Sequence, residues 1–266
     1  EERVLTNDDI NSWTNINKLP VFITATCEFS RWDDPARTSS GEKILLSSTG
    51  GGVALFSTTR LVFASSNEVL NRALIKFMFD DPSFRLGDIM VASKTDPGNL
   101  NLNTRNFSLL GDPALRLHYP KFSIEATQIN AQPIIALNDT LSSLEKVTIA
   151  GRIVKGGQVQ SDFNGFLYPT VYDKASSITM LRNDLSSPNI TFKLQKNVLY
   201  KGKATVKNGE WSFTFIVPKD ISYQFGFGKL SFYAENGVED GAGYFDSIVV
   251  GGSSANIISE TDGPEI

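Results

Sequence analysis

Cys27, the single cysteine of the chain, stands directly after an apolar run that begins at Val21. The run is short and rich in β-branched and aromatic residues, which is typical of a strand buried on both faces of a parallel sheet. Ligands and catalytic groups collect outside the carboxyl ends of such strands. Cys27 is therefore a candidate nucleophile. The alternative is a core cysteine, because free cysteines are among the most buried residues.

A cysteine nucleophile reacts as its thiolate, so it needs a nearby base, which is usually a histidine. The chain has one histidine, His118, in the segment Leu115-Arg-Leu-His-Tyr119. The alternation of apolar and polar residues there favours a strand residue over a catalytic base. If His118 is not the base, residues 1–266 contain no histidine that is.

Three carboxylates follow the cysteine closely: Glu28, Asp33 and Asp34. Together they can form an acidic patch that recognises a basic group of a substrate. A solvated loop is the competing interpretation, since charged residues in loops most often face water.

Other kinds of site find little support. Gly50-Gly-Gly52 lacks the lysine and the spacing of a phosphate-binding loop, and it is more typical of the end of a helix. One histidine and one cysteine do not make zinc-ligand spacing, so we expect no metal and no cofactor. The formal net charge is −4 and the basic residues are scattered, which argues against a nucleic-acid partner.

The elements that position Cys27 follow an α/β order up to about residue 119. A helix is predicted from Ser40, a short buried strand at Val53–Ser57, a helix after the cap candidates Ser65–Glu68, and a helix over Leu86–Ser93. This alternation predicts a first domain over residues 1–120.

Beyond residue 120 the pattern becomes β only. Strands with alternating polarity lie between Gly, Asn, Asp and Pro residues, and Lys207-Asn208-Gly209-Glu210 predicts a type I′ hairpin. The last of these strands is expected at Tyr244–Val250. We therefore expect an immunoglobulin-like sandwich over residues 121–251 and a linker over 252–266. The strand aromatics, among them Phe166 and Tyr244, are expected in its core.

Three segments resemble the gingipain family of cysteine peptidases in type, order and spacing. They are Ile23-Thr-Ala-Thr-Cys27, Gly50-Gly-Gly-Val-Ala-Leu-Phe-Ser-Thr-Thr-Arg-Leu-Val62 and Asn106-Phe-Ser-Leu-Leu-Gly-Asp-Pro-Ala-Leu-Arg-Leu117. Cys27-Glu-Phe-Ser-Arg-Trp-Asp-Asp34 and two β segments, Asn164–Tyr172 and Tyr244–Val250, resemble the branch that serves as the sortase of the type IX secretion system. The resemblance covers nearly the whole chain.

The resemblance implies a caspase-like α/β domain in which Cys27 is the nucleophile, with its own backbone amide in an oxyanion hole. The family's base is a histidine in a His-Gly motif, and the first ten residues resemble the segment that follows that motif. We therefore expect a fragment that lacks its base and is inactive alone.

A sortase of this branch is expected to remove the C-terminal secretion signal of cargo proteins and to transfer them to an amine of surface lipopolysaccharide. The implied location is the cell surface, with an outer-membrane barrel as a partner. Two alternatives stay open: a gingipain-like endopeptidase, and a non-catalytic surface scaffold or binding module.

Overall fold

The computed structural model describes residues 5–134, 140–182 and 188–253. The chain divides into two compact units, residues 1–119 and 120–266. It is β-rich, with few helices, all of them in the first unit within the described residues. None of the described helices is long and apolar enough to span a membrane.

The first unit combines helices with a small sheet. The helices are α1 (Asn7–Asn11), α2 (Ser40–Leu46), α3 (Ala64–Asp80), α4 (Leu86–Thr95), a 3-10 turn (Pro97–Asn99) and α5 (Leu102–Arg105). The strands are β1 (Val21–Ile23), β2 (Ala54–Thr58) and β3 (Phe107–Gly111).

The sheet has the order β1-β2-β3, with β1 parallel and β3 antiparallel to β2. Every residue of β2 is buried, as its apolar sequence predicts. The prediction of a strand buried on both faces is wrong for β1, whose three residues are only partly buried. The physical reason is position: among the described strands, β1 lies at the edge of the sheet and pairs only with β2.

Three helices form where the sequence predicts them, although three of their ends differ; α4, predicted to end at Ser93, ends at Thr95. α2 begins after a capping box in which Ser39 and Glu42 bond each other's backbone N–H groups. α3 begins at Ala64 after Phe63, so the predicted caps at Ser65–Glu68 lie inside the helix. The glycines do not cap α2 either, because that helix ends at Leu46 and Ser47 is its C-cap.

Gly51 instead permits a close approach between backbone segments. Its φ is +103°, and a Cβ atom there would lie 2.0 Å from the carbonyl oxygen of Ile44. The chain can therefore fold back onto α2 and enter β2 only with a glycine at this position.

The second unit consists of strands. They are β4 (Phe122–Ile129), β5 (Gln132–Pro133), β6 (Thr140–Ser143), β7 (Lys146–Lys155), β8 (Gln158–Val159), β9 (Gly165–Tyr172), β10 (Ser176–Thr179), β11 (Thr191–Leu194), β12 (Val198–Lys201), β13 (Ala204–Lys207), β14 (Glu210–Ile216), β15 (Gly226–Phe227), β16 (Lys229–Glu235), β17 (Asp240–Phe245) and β18 (Val249–Ser253).

The main strand pairings run β4-β17-β16-β9-β13-β14-β7 and return to β4, so this ladder closes on itself. β4 does this by pairing with β17 near its start and with β7 along its length, with a bulge between Ala126 and Gln128. The inward-facing residues of β7, β9, β14 and β16 contribute about half of the core. The immunoglobulin-like and caspase-like assignments stay predictions.

The hairpin at Asn208-Gly209 is confirmed. Lys207 pairs with Glu210, and φ is +52° at Asn208 and +76° at Gly209, which are the positive values that a type I′ turn requires.

Three sequence expectations for this unit need correction. β17 ends at Phe245 and β18 starts at Val249, so the expected strand over 244–250 is interrupted. β18 extends to Ser253, so residues 252 and 253 belong to a strand, and the rest of the expected linker lies outside the described residues. Phe166 and Tyr244 face outward, because their neighbours along each strand are the inward ones.

Candidate active site

Cys27 lies where the sequence predicts it, beyond the carboxyl end of β1, in a turn that follows Ile23. The side chain is exposed, so the prediction of a core cysteine is wrong. Its Sγ lies 3.4 Å from the carbonyl oxygen of Val62 and donates a weak hydrogen bond to it. An exposed thiol at a strand end is accessible to a substrate carbonyl.

Backbone hydrogen bonds hold the turn around Cys27 against the segment that leaves β2. The N–H of Ser30 donates to the carbonyl of Thr58 at 2.9 Å, and the N–H of Glu28 donates to the carbonyl of Arg60 at 3.4 Å. Glu28 has a φ of +53°, a left-handed conformation that is uncommon in residues other than glycine. The thiol thus lies on a constrained turn. Residues in such uncommon backbone conformations are often found at functional sites.

Buried hydroxyl groups extend this attachment below the surface. Ser57 of β2 is fully buried, and its Oγ lies 2.6 Å from the hydroxyl oxygens of both Thr24 and Ser30. The hydroxyl of Thr58 donates to the carbonyl of Thr26. Both ends of the Cys27 turn are therefore bonded to consecutive residues of the central strand.

A pair of buried asparagines connects the turn to the loop on its other side. The Nδ2 of Asn67 is 3.4 Å from the carbonyl oxygen of Ala25, and the Oδ1 of Asn67 accepts from the Nδ2 of Asn103 at 3.1 Å. The Oδ1 of Asn103 accepts the backbone N–H of Phe63 at 2.7 Å. This chain, hereafter the asparagine relay, fixes the segments before and beside Cys27 relative to each other.

Sequence reasoning missed the asparagine relay. The sequence pattern places Asn67 among the helix cap candidates. In the structure it lies within α3, on the same buried face as Leu70 and Leu74. An amide in an apolar helical stripe is the signal that could have found it, because a buried amide needs polar partners.

The structure brings the three predicted carboxylates together with arginines of the same region. The ion pairs are Glu28 with Arg31 at 3.0 Å, Asp34 with Arg37 at 3.1 Å, and Asp33 with Arg60. Three carboxylates thus face three guanidinium groups, and this cluster carries no net charge. The hydrogen bond from Arg60 holds the pKa of Asp33 below its ordinary value. A substrate cation would have to displace an arginine, and the recognition role of these carboxylates stays a prediction.

His118 is exposed and lies outside the strands, so its prediction as a strand residue is wrong. β3 ends at Gly111, whose φ of +122° turns the chain away from the sheet, and Asp112-Pro113 starts a turn. Beyond that turn the ladder does not resume; Arg116 forms one isolated bridge, to Arg85.

No group of three or more His, Cys, Asp or Glu side chains within the described ranges is arranged to hold a metal ion.

Comparison with known proteins gives one family match. Residues 1–118 match the model of peptidase family C25. No curated protein matches the chain.

Solved structures with related segments include the latent, dimeric form of PorU from Porphyromonas gingivalis. It is 26% identical to this chain, with a TM-score of 0.48, over 80% of this chain and 21% of that one. The complex of the pro- and mature domains of RgpB from the same organism is 15% identical, with a TM-score of 0.37, over 89% of this chain and 49% of that one. The chain therefore spans about a fifth and about half of these proteins, respectively.

The matched region, residues 1–118, contains Cys27, β2 and the asparagine relay. Over these residues the chain is similar to peptidase family C25, the gingipain family.

Proposed function

We propose that this chain carries the nucleophile of a gingipain-type cysteine peptidase. The Cys27 thiolate attacks the carbonyl carbon of a peptide bond, a C–S bond forms, the C–N bond breaks, and the amine leaves with a proton. The observation that carries the proposal is an exposed Sγ on a constrained turn at the end of β1, within the region that matches the family. The backbone N–H of Cys27 is the proposed oxyanion donor.

The finer proposal is that of a transpeptidase. Attack by water on the acyl-enzyme gives hydrolysis, whereas attack by an amine gives transfer, so one intermediate serves both reactions. The similarity to PorU and the motif that starts at Cys27 support a sortase of the type IX secretion system. Its substrates would be cargo proteins with C-terminal secretion signals, its acceptor an amine of lipopolysaccharide, and its place the cell surface beside an outer-membrane barrel. A caspase-like domain and an immunoglobulin-like sandwich are the folds proposed with it.

The base is proposed to come from outside residues 1–266. The His-Gly motif that the family resemblance implies has no counterpart in this sequence, where His118 precedes a tyrosine. A missing base leaves the nucleophile without a proton acceptor and the leaving amine without a proton donor. Residues 1–266 alone are therefore expected to show little turnover.

The test uses the full-length protein that contains these residues, beside its Cys27→Ala variant. Each is incubated with a cargo C-terminal segment and a small primary amine, and the products are identified by mass spectrometry. An amine-capped product that disappears in Cys27→Ala supports the transpeptidase. Hydrolysis that disappears in the variant indicates an endopeptidase instead. Products that do not depend on Cys27, or no products, contradict the proposal and favour a scaffold role.

A further inference from the structure

The loop that touches Cys27 presents large apolar side chains to solvent. Val62, whose carbonyl accepts a hydrogen bond from the thiol, packs against the core, and the residue on each side of it is exposed. Leu61 is 70% exposed and Phe63 is 78% exposed. Leaving two such side chains in water forfeits the free energy of burying them, and a substrate side chain that covers them would recover part of it.

The loop is held in this arrangement from both ends. The N–H of Phe63 donates to Asn103 at 2.7 Å, and the Nδ2 of Asn106 donates to the carbonyl of Leu61 at 2.9 Å. Fixed backbone at both residues keeps Leu61 and Phe63 outside the core. These two hydrogen bonds therefore maintain the exposure of both side chains.

A third exposed apolar side chain lies in the neighbouring loop. Trp32, 57% exposed, precedes Asp33, and Asp33 forms a two-pronged ion pair with Arg60, the residue before Leu61. The ion pair therefore brings the loop that follows Cys27 next to the loop of Leu61. We name Trp32, Leu61 and Phe63 the apolar rim.

Charge near the thiol does not favour a cationic substrate. Asp33 already holds Arg60, and Glu28 holds Arg31 at 3.0 Å, so these carboxylates are neutralised within the chain. A lysine or arginine side chain of a substrate would lose hydration without finding a free carboxylate in this cluster. An apolar side chain gains from contact with the rim and gives up no hydration of a charge.

We infer that the apolar rim determines substrate specificity, and that it receives a large uncharged side chain next to the bond that Cys27 attacks. This inference rests on the proposed function and names its substrate class: peptides with a phenylalanine or leucine beside the reacting carbonyl, in preference to arginine or lysine.

The test uses this chain and peptidyl chloromethyl ketones with phenylalanine, leucine or arginine beside the reactive carbon. The Cys27 thiolate displaces chloride, a C–S bond replaces the C–Cl bond, and the thiol proton passes to the buffer. We expect the phenylalanine and leucine reagents to label Cys27 at least about tenfold faster than the arginine reagent. Apolar contact with part of one large side chain is enough for a difference in rate of this size. An arginine reagent that labels equally fast or faster overturns the inference.

Variants separate specificity from reactivity. Phe63→Ser and Leu61→Ser are expected to bring the ratio of phenylalanine to arginine labelling close to one, and labelling by iodoacetamide, which carries no side chain, serves as the reference for thiol reactivity in each variant. Leu100→Ser is the matched control, because Leu100 is 74% exposed and lies in the turn before α5. A ratio that is the same in Phe63→Ser and in Leu100→Ser contradicts the inference.

A second measurement does not depend on thiol chemistry. In Cys27→Ser, binding of N-acetyl-phenylalanine amide and of N-acetyl-arginine amide is followed by NMR shifts of the Leu61 and Phe63 amides. Shifts with the phenylalanine compound alone support the inference, and shifts with the arginine compound alone refute it. A thiol that iodoacetamide does not label would contradict the proposed function and leave this binding result to decide the specificity.

Discussion

Removing one buried amide of the asparagine relay is expected to lower the free energy of unfolding substantially. In Asn103→Leu the side-chain volume is nearly kept, but the Oδ1 of Asn67 loses a donor at 3.1 Å and the N–H of Phe63 loses an acceptor at 2.7 Å. A buried polar group without its partner costs about 1–3 kcal/mol. The oxygen of Asn67 bears that cost fully, whereas the N–H of Phe63 is only partly buried, so the loss in the free energy of unfolding is about 2–4 kcal/mol.

Hydrogen exchange measures this effect locally. Mass spectrometry of peptides that cover residues 60–66 reports the opening of the loop that carries Phe63, and equilibrium urea unfolding of the same samples reports the global change. Asn101→Ala is the matched control, because Asn101 accepts from the N–H of Thr104 at 3.2 Å and caps the same helix without touching the relay. Its expected cost is about 1 kcal/mol, the usual value of a lost cap.

The double variant Asn67→Leu/Asn103→Leu sharpens the prediction. Removing both amides also removes the orphaned oxygen, so the double variant is expected to lose less than the sum of the single losses, with a coupling of about 0.5–3 kcal/mol. The reasoning is refuted if Asn103→Leu costs no more than Asn101→Ala and the amide of Phe63 exchanges at its original rate.

Two further predictions concern a carboxylate and a glycine. Asp88 accepts hydrogen bonds from the side chain and the backbone of Arg85, which lower its pKa to about 2, so its contribution to stability is complete above 3.8 and is lost as the pH falls from 3.8 to about 2. A carboxyl titration by NMR should find this midpoint, and Arg85→Ala should raise it; an unchanged midpoint excludes Arg85 as the cause. In the second unit, Gly209→Ala should lower the free energy of unfolding by about 2–4 kcal/mol, because φ is +76° and the new Cβ would lie 2.4 Å from the carbonyl oxygen of Gln160. Gly156→Ala, where φ is +56° and a Cβ meets nothing within 4 Å, should cost about 1–2 kcal/mol; equal losses in urea unfolding would disprove the role of the contact.

Local patterns in the sequence determined the elements that carry the candidate site. The apolar run before Cys27 gave the strand end at which the thiol lies, and helical spacing predicted α2, α3 and α4 to within a few residues at most ends. Asn208-Gly209 determined a hairpin, because positive φ values at two successive positions are a property of those residue types themselves. Such signals are readable because each depends on neighbours within one turn or one strand.

Only the tertiary structure decided which side chains meet. Asn67 and Asn103 are 36 positions apart, and Asp33 lies 27 positions from Arg60, so no local pattern reports their contacts. The acidic residues after Cys27 read as a free patch in the sequence, yet the fold gives each an arginine. Burial is decided in the same way: β1 looked like an interior strand, but a strand's exposure depends on whether a second neighbour pairs with it, and that is fixed by the assembly of the sheet.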